Sequence, residues 1–246
     1  QKGQRLVSHE LHFYGIGESE LEYKLHDLMA ESTNPTIAPY AGTGEVKLRV
    51  TASLQEGEDA EALLQPAIKK ILAAAGDYCY GIDVPDLQTA VVQSLRQKGL
   101  TVASAESCTG GLVAARLTEV PGASAVFGCG IVSYNNTVKA EVLGVDPAII
   151  EQHTAVSAET AAAMAAAIRQ KSGAAIGIGI TGNAGPSASE GQPVGLVFVA
   201  VASEKYSHVS RLFIDRHDAD ARTLIRHFAA LKALSLILRA AGYYKE

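Results

Sequence analysis

Hydrophobic and polar positions fall into two regimes along the chain. In the first, alternation over residues 10–14 predicts a strand, and Leu21, Leu25 and Leu28 at helical spacing predict a helix over 18–29. A Pro/Gly loop leads to a strand over 46–54. Leu63, Leu64, Ile68, Ile71 and Leu72 then form one stripe of a helix over 57–75, and 77–80 closes as a short strand. The expected product is a small β-α-β-α-β module over residues 1–82.

In the second regime a helix over 86–98, ended by Gly99 at a favoured C-cap position, precedes a strand over 101–105. A polar, glycine-rich turn and a short helix over 112–118 follow. Next come a strand over 125–134, a helix from about residue 137, an alanine-rich helix over 158–171 and a buried strand over 174–180. A Gly/Pro/Ser loop over 181–193 separates that strand from two more, over 194–202 and 208–214, with no helix between them. An amphipathic helix over 219–241 ends the pattern. Helices alternating with strands, followed by a hairpin-like pair, predict an α/β fold: a three-layer α/β/α domain with a mixed sheet over residues 83–246, preceded by a small α+β domain.

Charge sharpens the division. Residues 1–82 hold 7 Lys+Arg against 12 Asp+Glu, leaving 14 against 14 for the remainder, so the net charge of -5 lies in the first third. A net negative chain is a poor phosphate clamp, which argues against nucleic acid as a partner. The absence of a long apolar run and of a basic, apolar leader predicts a soluble, cytoplasmic protein without a membrane partner. Cys79, Cys108 and Cys129 are odd in number and widely spaced, which predicts neither a disulfide framework nor a thiolate metal site.

Candidate chemistry concentrates where the strand over 101–105 turns into a helix. Ser107 at such a turn reads as a nucleophile, as a helix N-cap or as part of an anion-binding loop. The backbone N–H groups of Cys108, Thr109 and Gly110 would form an oxyanion hole beside it. Cys108, at the same helix start, is either a rival nucleophile with a lowered thiol pKa or a small buried residue. A serine nucleophile needs a base, and no histidine is close in sequence; Lys139 is the candidate. An ordinary lysine, with a pKa of about 10.4, is almost wholly protonated at pH 7, so it must be depressed to serve. Asn136 as N-cap would put Lys139 in a first helical turn, and packing against Val132, Val138 and Val142 would desolvate it; otherwise it is a surface lysine. Tyr134 is either a proton relay at the same place or an exposed strand-end tyrosine. Thr181 and Gly182, at a strand end, suit the lip of a pocket. Arg216 offers a fork for phosphate or carboxylate, or else belongs to a charge network before the last helix. Residues 177–182 fit G-x-G-x-x-G, but the glycines fall inside a strand, so the dinucleotide reading does not hold.

The run from Ala105 to Gly111, Ala-Glu-Ser-Cys-Thr-Gly-Gly, resembles the signature of the carboxy-terminal amidase domain of the CinA family, the competence/damage-inducible proteins. Residues 122–127, Tyr134-Asn135-Asn136 through Lys139, 180–186 and 193–195 agree with it in order and spacing. Residues 13–19 and 34–40 resemble the family's KH-type middle domain, although Gly15-Ile16-Gly17-Glu18 is not a GxxG loop and its surroundings are acidic. The family's amino-terminal domain, which carries a nucleotide pyrophosphatase activity, has no counterpart here. With Gln1 first, the expectation is a fragment or a naturally shortened protein.

The resemblance implies a nicotinamide-nucleotide amidase that converts nicotinamide mononucleotide and water to nicotinate mononucleotide and ammonia, with Ser107 as nucleophile and Lys139 as base. It also places Tyr134, Ser124, Thr181 and Arg216 among the active-site residues. Such chemistry requires no cofactor and no metal. The implied partners are a small-molecule nucleotide and further copies of the chain. Asn183 and the loop over 186–190 depart from the family's pattern, which bears on substrate affinity more than on catalysis. The competing readings are a non-catalytic partner-binding protein of competence or DNA-damage response, and the remnant of a nucleotide pyrophosphatase.

Overall fold

The computed structural model describes residues 5–243, so the outermost residues of both expected segments lie outside the described residues. Two compact units divide after Leu87.

The first unit comprises β1 (Arg5–Tyr14), α1 (Glu18–Glu31), β2 (Thr36–Ala41), β3 (Glu45–Leu54), α2 (Ala60–Ala75) and β4 (Cys79–Ile82). Its antiparallel sheet has the order β2-β3-β1-β4. Strict alternation in β3 turns Val46, Leu48, Val50, Ala52 and Leu54 inward, where they share a core with Leu21 and Leu25 of α1 and Leu64, Ile68 and Ile71 of α2. Strand β2 lies where a loop is expected from the Pro and Gly content. It runs at the sheet edge, antiparallel to β3, where Pro39 is tolerated because an edge residue can leave its missing N–H on the solvent side.

The second unit comprises α3 (Leu87–Lys98), β5 (Val102–Glu106), α4 (Leu112–Thr118), β6 (Phe127–Val132), a π-helix (Val138–Leu143), α5 (Pro147–His153), α6 (Ala158–Ser172), β7 (Ile176–Gly182), β8 (Leu196–Ala202), β9 (Ser207–Phe213) and α7 (Ala221–Ala240). The sheet is mixed, in the order β6-β5-β7-β8-β9: β5 runs parallel to β6 and β7, whereas β8 and β9 continue antiparallel. Helix α6 crosses β7, β8 and β5, and α7 crosses β7 and β8 with α4 packed against it. The glycines of β7 explain how closely α6 approaches. A Cβ on Gly177 would sit 2.1 Å from the Ala165 carbonyl oxygen, and one on Gly179 2.3 Å from that of Ala161. Ile176, Ile178 and Ile180, alternating with them, fill the opposite face. Among the described residues no helix is long and apolar enough to cross a membrane.

Register positions the site. Glu106 pairs with Val132 on one side and with Ile180 on the other. Ser107, Ser133 and Thr181, the residues that follow this row, therefore lie side by side at the carboxyl edge of three neighbouring parallel strands, where open α/β sheets bind ligands.

Candidate active site

The turn after β5 is held from several directions. The Ser107 N–H donates to the Ile180 carbonyl at 2.9 Å, and the Gly110 N–H donates back to the Ser107 carbonyl at 3.0 Å. Gly110 and Gly111 both take positive φ, +61° and +95°, which a side chain would resist. The Gly110 N–H is thus spent within the turn, which corrects the expected three-membered oxyanion hole. The N–H groups of Cys108 and Thr109 carry no hydrogen bond to another residue among the described residues. The Thr109 carbonyl accepts from Arg226 of α7 at 2.8 Å.

Lys139 enters from the neighbouring strand's continuation. Asn135, rather than Asn136, caps the helical turn, its side-chain oxygen accepting from the Val138 N–H at 2.8 Å. The turn is a π-helix instead of the regular helix expected, a local widening common at functional sites. Lys139 is 1% exposed, whereas two of the valines expected to cover it, Val132 and Val142, are themselves 48% exposed. Its side chain instead turns inward beneath the strand ends. Nζ lies 3.3 Å from Ser107 Oγ, 3.0 Å from the Ser133 carbonyl oxygen and 3.5 Å from that of Tyr134. Among the described residues no carboxylate pairs with it. Desolvation is the largest effect on Lys139 and pushes its pKa down, while the charge of Glu190 opposes that shift. Nζ donates to these three oxygens; in the neutral amine two N–H groups can stay on the carbonyls while the lone pair turns to the Ser107 hydroxyl.

Of the two readings of Cys108, the small buried residue is the one found, at 5% exposure. Burial pushes its thiol up to about 12, the reverse of the lowering expected at a helix start, so it holds no thiolate at neutral pH.

Ser107, Cys108, Lys139, Tyr134, Thr181 and Gly182 line one cavity of about 420 Å³, in the size range of small-molecule sites. Its remaining wall is the loop after β7, through Asn183, Gly185 and Ser187 to Glu190, together with Arg222. Thr181 donates to the Ala155 carbonyl at 2.6 Å, and the Ala155 N–H donates to Glu190 at 2.8 Å, so the backbone of one residue ties the strand end to the loop. Thr154, beside it, has φ +70° and ψ 166°, a conformation that costs of order 1–3 kcal/mol in a non-glycine residue. Bonds to its carbonyl from Thr160 at 2.7 Å and Ser157 at 3.1 Å hold it there. At the mouth, Arg222 donates to the Gly185 carbonyl and, at 3.1 Å, to the Tyr134 hydroxyl. With its oxygen accepting from Arg222, Tyr134 keeps its own O–H free to donate.

Four expected residues do not line this cavity: Thr109, which is wholly buried, Gly110, Ser124 and Arg216. Ser124 precedes β6 and therefore lies at the amino ends of the parallel strands, in a separate hollow with Thr101 and Phe127, a strand length of roughly 20 Å from Ser107. Arg216 follows the edge strand β9, three strand spacings or about 14 Å from β5, and pairs with Asp218 at 2.8 Å. It belongs to the charge network before the last helix. Arg222 takes the place at the cavity. An arginine in the first turn of a helix opposes the macrodipole, and that mismatch is the sequence signal that marks it. Among the described residues no group of three or more His, Cys, Asp or Glu side chains is arranged to hold a metal ion.

The family model of the CinA C-terminal domain matches residues 85–241, and that of the damage-inducible protein CinA KH domain matches residues 8–81. CinA-like proteins of Synechococcus sp. and Dictyoglomus turgidum are 43% and 40% identical over 230 and 235 residues, covering 93% and 95% of this chain but 54% and 56% of their own lengths. The chain thus spans about half the length of the curated relatives it matches. The crystal structure of the competence/damage inducible protein CihA from Agrobacterium tumefaciens superposes with a TM-score of 0.59 at 35% identity, covering 63% of this chain and 93% of that one. With both family models matched in order along one chain, and with relatives that share two-fifths of its residues over nearly its whole length, this protein belongs to the CinA family.

Proposed function

We propose that the chain is a nicotinamide-nucleotide amidase, hydrolysing nicotinamide mononucleotide to nicotinate mononucleotide and ammonia by a Ser/Lys mechanism. The observation that carries this reading is the buried pair of Ser107 Oγ and Lys139 Nζ at 3.3 Å, with the lysine desolvated and unpaired by any carboxylate among the described residues. Burial lowers the pKa of Lys139 and so favours its unprotonated form, the form a general base needs.

In the first half-reaction Ser107 Oγ attacks the carboxamide carbon as its proton passes to Lys139 Nζ. The carbonyl oxygen becomes an oxyanion opposite the Cys108 and Thr109 N–H groups. Collapse breaks the C–N bond, and the Lys139 ammonium returns the proton to the departing nitrogen as ammonia leaves. The nicotinate ester of Ser107 is then attacked by water, which gives its proton to Lys139; Ser107 is reprotonated and nicotinate mononucleotide departs. Arg222 at the mouth suits the phosphate, and Tyr134, with its O–H free, suits a polar group of the substrate. Helix α4 does not serve the phosphate, because the N–H groups at its start are taken, that of Leu112 by the Thr109 carbonyl and those of Gly111, Val113 and Ala114 by Glu106.

The test is ammonia release from the mononucleotide, the riboside and free nicotinamide. The mononucleotide is expected to be the preferred substrate, with loss of at least about a thousandfold in Ser107→Ala and retained activity in Cys108→Ala. Absence of ammonia with all three substrates overturns the reading. Substantial activity in Ser107→Ala moves the nucleophile elsewhere.

A further inference from the structure

We propose that Glu106 is the positioning residue of this site, fixing the Ser107 turn and deciding which backbone N–H groups are left for the oxyanion; this rests on the reading of Ser107 as nucleophile.

Helix α4 begins after Gly111, which has no side chain with which to cap it. The Gly111 and Val113 N–H groups converge instead on Glu106 Oε2, at 3.0 and 3.1 Å, and the Ala114 N–H on Oε1 at 2.9 Å. The Ser104 hydroxyl adds a fourth bond to Oε1 at 3.2 Å. Glu106 is 1% exposed and has no cationic side chain paired with it among the described residues. A buried carboxylate in that state is costly unless hydrogen bonds and an oriented dipole compensate it, and here the start of α4 supplies both.

An ordinary cap acts from within its own helix. Glu106 acts from the end of β5, one residue before Ser107, so its side chain spans the turn that carries the nucleophile. Its backbone reaches the base as well: the Glu106 carbonyl accepts from the Ser133 N–H at 2.9 Å, and the Ser133 carbonyl accepts from Lys139 at 3.0 Å. Ser107 is thus referred to Glu106 by the covalent chain, and Lys139 through a single intervening residue. With the Gly110 N–H bonded to Ser107, that of Leu112 to Thr109, and those of Gly111, Val113 and Ala114 to Glu106, Cys108 and Thr109 keep the free backbone donors of this turn. The carboxylate therefore occupies the N–H groups at the start of α4 and leaves those of Cys108 and Thr109, next to Ser107 in the chain, as the ones available to an oxyanion.

Glu106→Gln tests this, because an amide keeps the shape but turns one acceptor into a donor facing N–H donors. The expected result, per folded molecule, is a kcat lower by about a hundredfold or more with KM for the mononucleotide within about threefold, since misplacement of the reacting groups costs rate and not nucleotide binding. A merely structural role lowers the melting temperature without that split. Ser104→Ala, which removes the weakest of the four bonds, is expected to lower kcat by about threefold to tenfold in the same pattern. Ser107→Ala is the control: if it stays active, the nucleophile reading and this proposal fall together. If it is inactive while folded Glu106→Gln keeps kcat within about threefold, or loses it through KM, only the positioning role is overturned. Should Glu106→Gln not fold, Ser104→Ala decides, and an unchanged kcat there overturns the proposal.

Discussion

Lys139 Nζ and Ser107 Oγ meet at 3.3 Å although 32 positions separate them in the chain. Parallel pairing of β5 with β6 brings them together, because it ends both strands on the same edge and lets the turn after β6 fold back over the turn after β5.

Lys139→Arg separates a base from a cation. Only an unprotonated amine accepts the Ser107 proton, so wild-type kcat is expected to rise with pH through the depressed pKa of Lys139. Arginine, with a pKa above about 12, stays charged, and its kcat is expected to fall by at least about a thousandfold across pH 6–9. An arginine variant that keeps most activity would show that the position serves as a cation for the phosphate.

Stability offers an independent check on the same residue. Because the folded-state pKa lies below the unfolded one, unfolding takes up a proton between the two values. The penalty is complete below the folded pKa and fades as pH rises toward the unfolded value of about 10.4. Lys139→Met removes it, and is expected to raise stability at neutral pH by about 1 kcal/mol or more, roughly 2–4 °C in melting temperature, while abolishing activity. A melting temperature below that of the wild type would contradict the buried, unpaired lysine.

The strand-turn-helix at Ser107 is legible in the sequence because glycines and a polar run interrupt two periodic segments. The π-helix around Lys139 is not, since one extra residue in a turn leaves the local apolar spacing nearly unchanged. The local sequence offers only valine neighbours to bury Lys139, yet its Nζ meets the Ser133 and Ser107 segments, which sheet register brings close. Register also separates Ser124 from Ser107, and strand order separates Arg216 from the cavity while α7 returns Arg222 to it. Residues placed by their own turn could be read from the chain; residues placed by long-range pairing could not.

Arg222→Ala and Arg216→Ala distinguish the two arginines. Loss of charge-assisted hydrogen bonds worth about 1.5–3 kcal/mol is expected to raise KM for the mononucleotide about tenfold to a hundredfold in Arg222→Ala, with the riboside little affected. Arg216, exposed and paired with Asp218, is expected to change KM by less than about twofold. A larger effect at Arg216 would return the phosphate to the segment after β9.

In the first unit, His9 lies between Glu61, at 2.9 Å from Nε2, and Asp83, on Nδ1. Hydrogen bonds to Glu61 and then Asp83 raise its pKa. A raised histidine contributes stability that is fully present below the unfolded pKa of about 6.5 and is lost as pH rises through the folded value. His9→Gln is therefore expected to be destabilising at pH 5.5, by under about 1 kcal/mol for so solvent-accessible a cluster, and close to neutral at pH 9. Hydrogen exchange of β1 and α2 at the two pH values measures it; an equal difference at both would mean that the charge has no part in it.

Glu190→Gln addresses the larger of the charge effects that oppose the depression of Lys139. The Ala155 N–H donates to Glu190 Oε2 at 2.8 Å, and a glutamine carbonyl oxygen can accept the same bond, so the substitution removes charge while keeping the loop attached. In the wild type the Glu190 carboxylate raises the pKa of Lys139 against the larger effect of desolvation. Without it the ammonium loses its nearby negative charge, the folded pKa falls further, and the unprotonated amine is present at lower pH. The acid limb of kcat/KM is expected to move to lower pH, so that the variant outperforms the wild type relative to its own plateau near pH 6. The plateau itself is expected to drop modestly, because a base of lower pKa accepts the serine proton less readily. Glu190→Ala, which also releases the Ala155 N–H, should lose activity across the whole range through a loosened loop, and comparison of the two profiles separates charge from attachment. If the acid limb of Glu190→Gln stays in place or moves to higher pH, the group that titrates in catalysis is not Lys139.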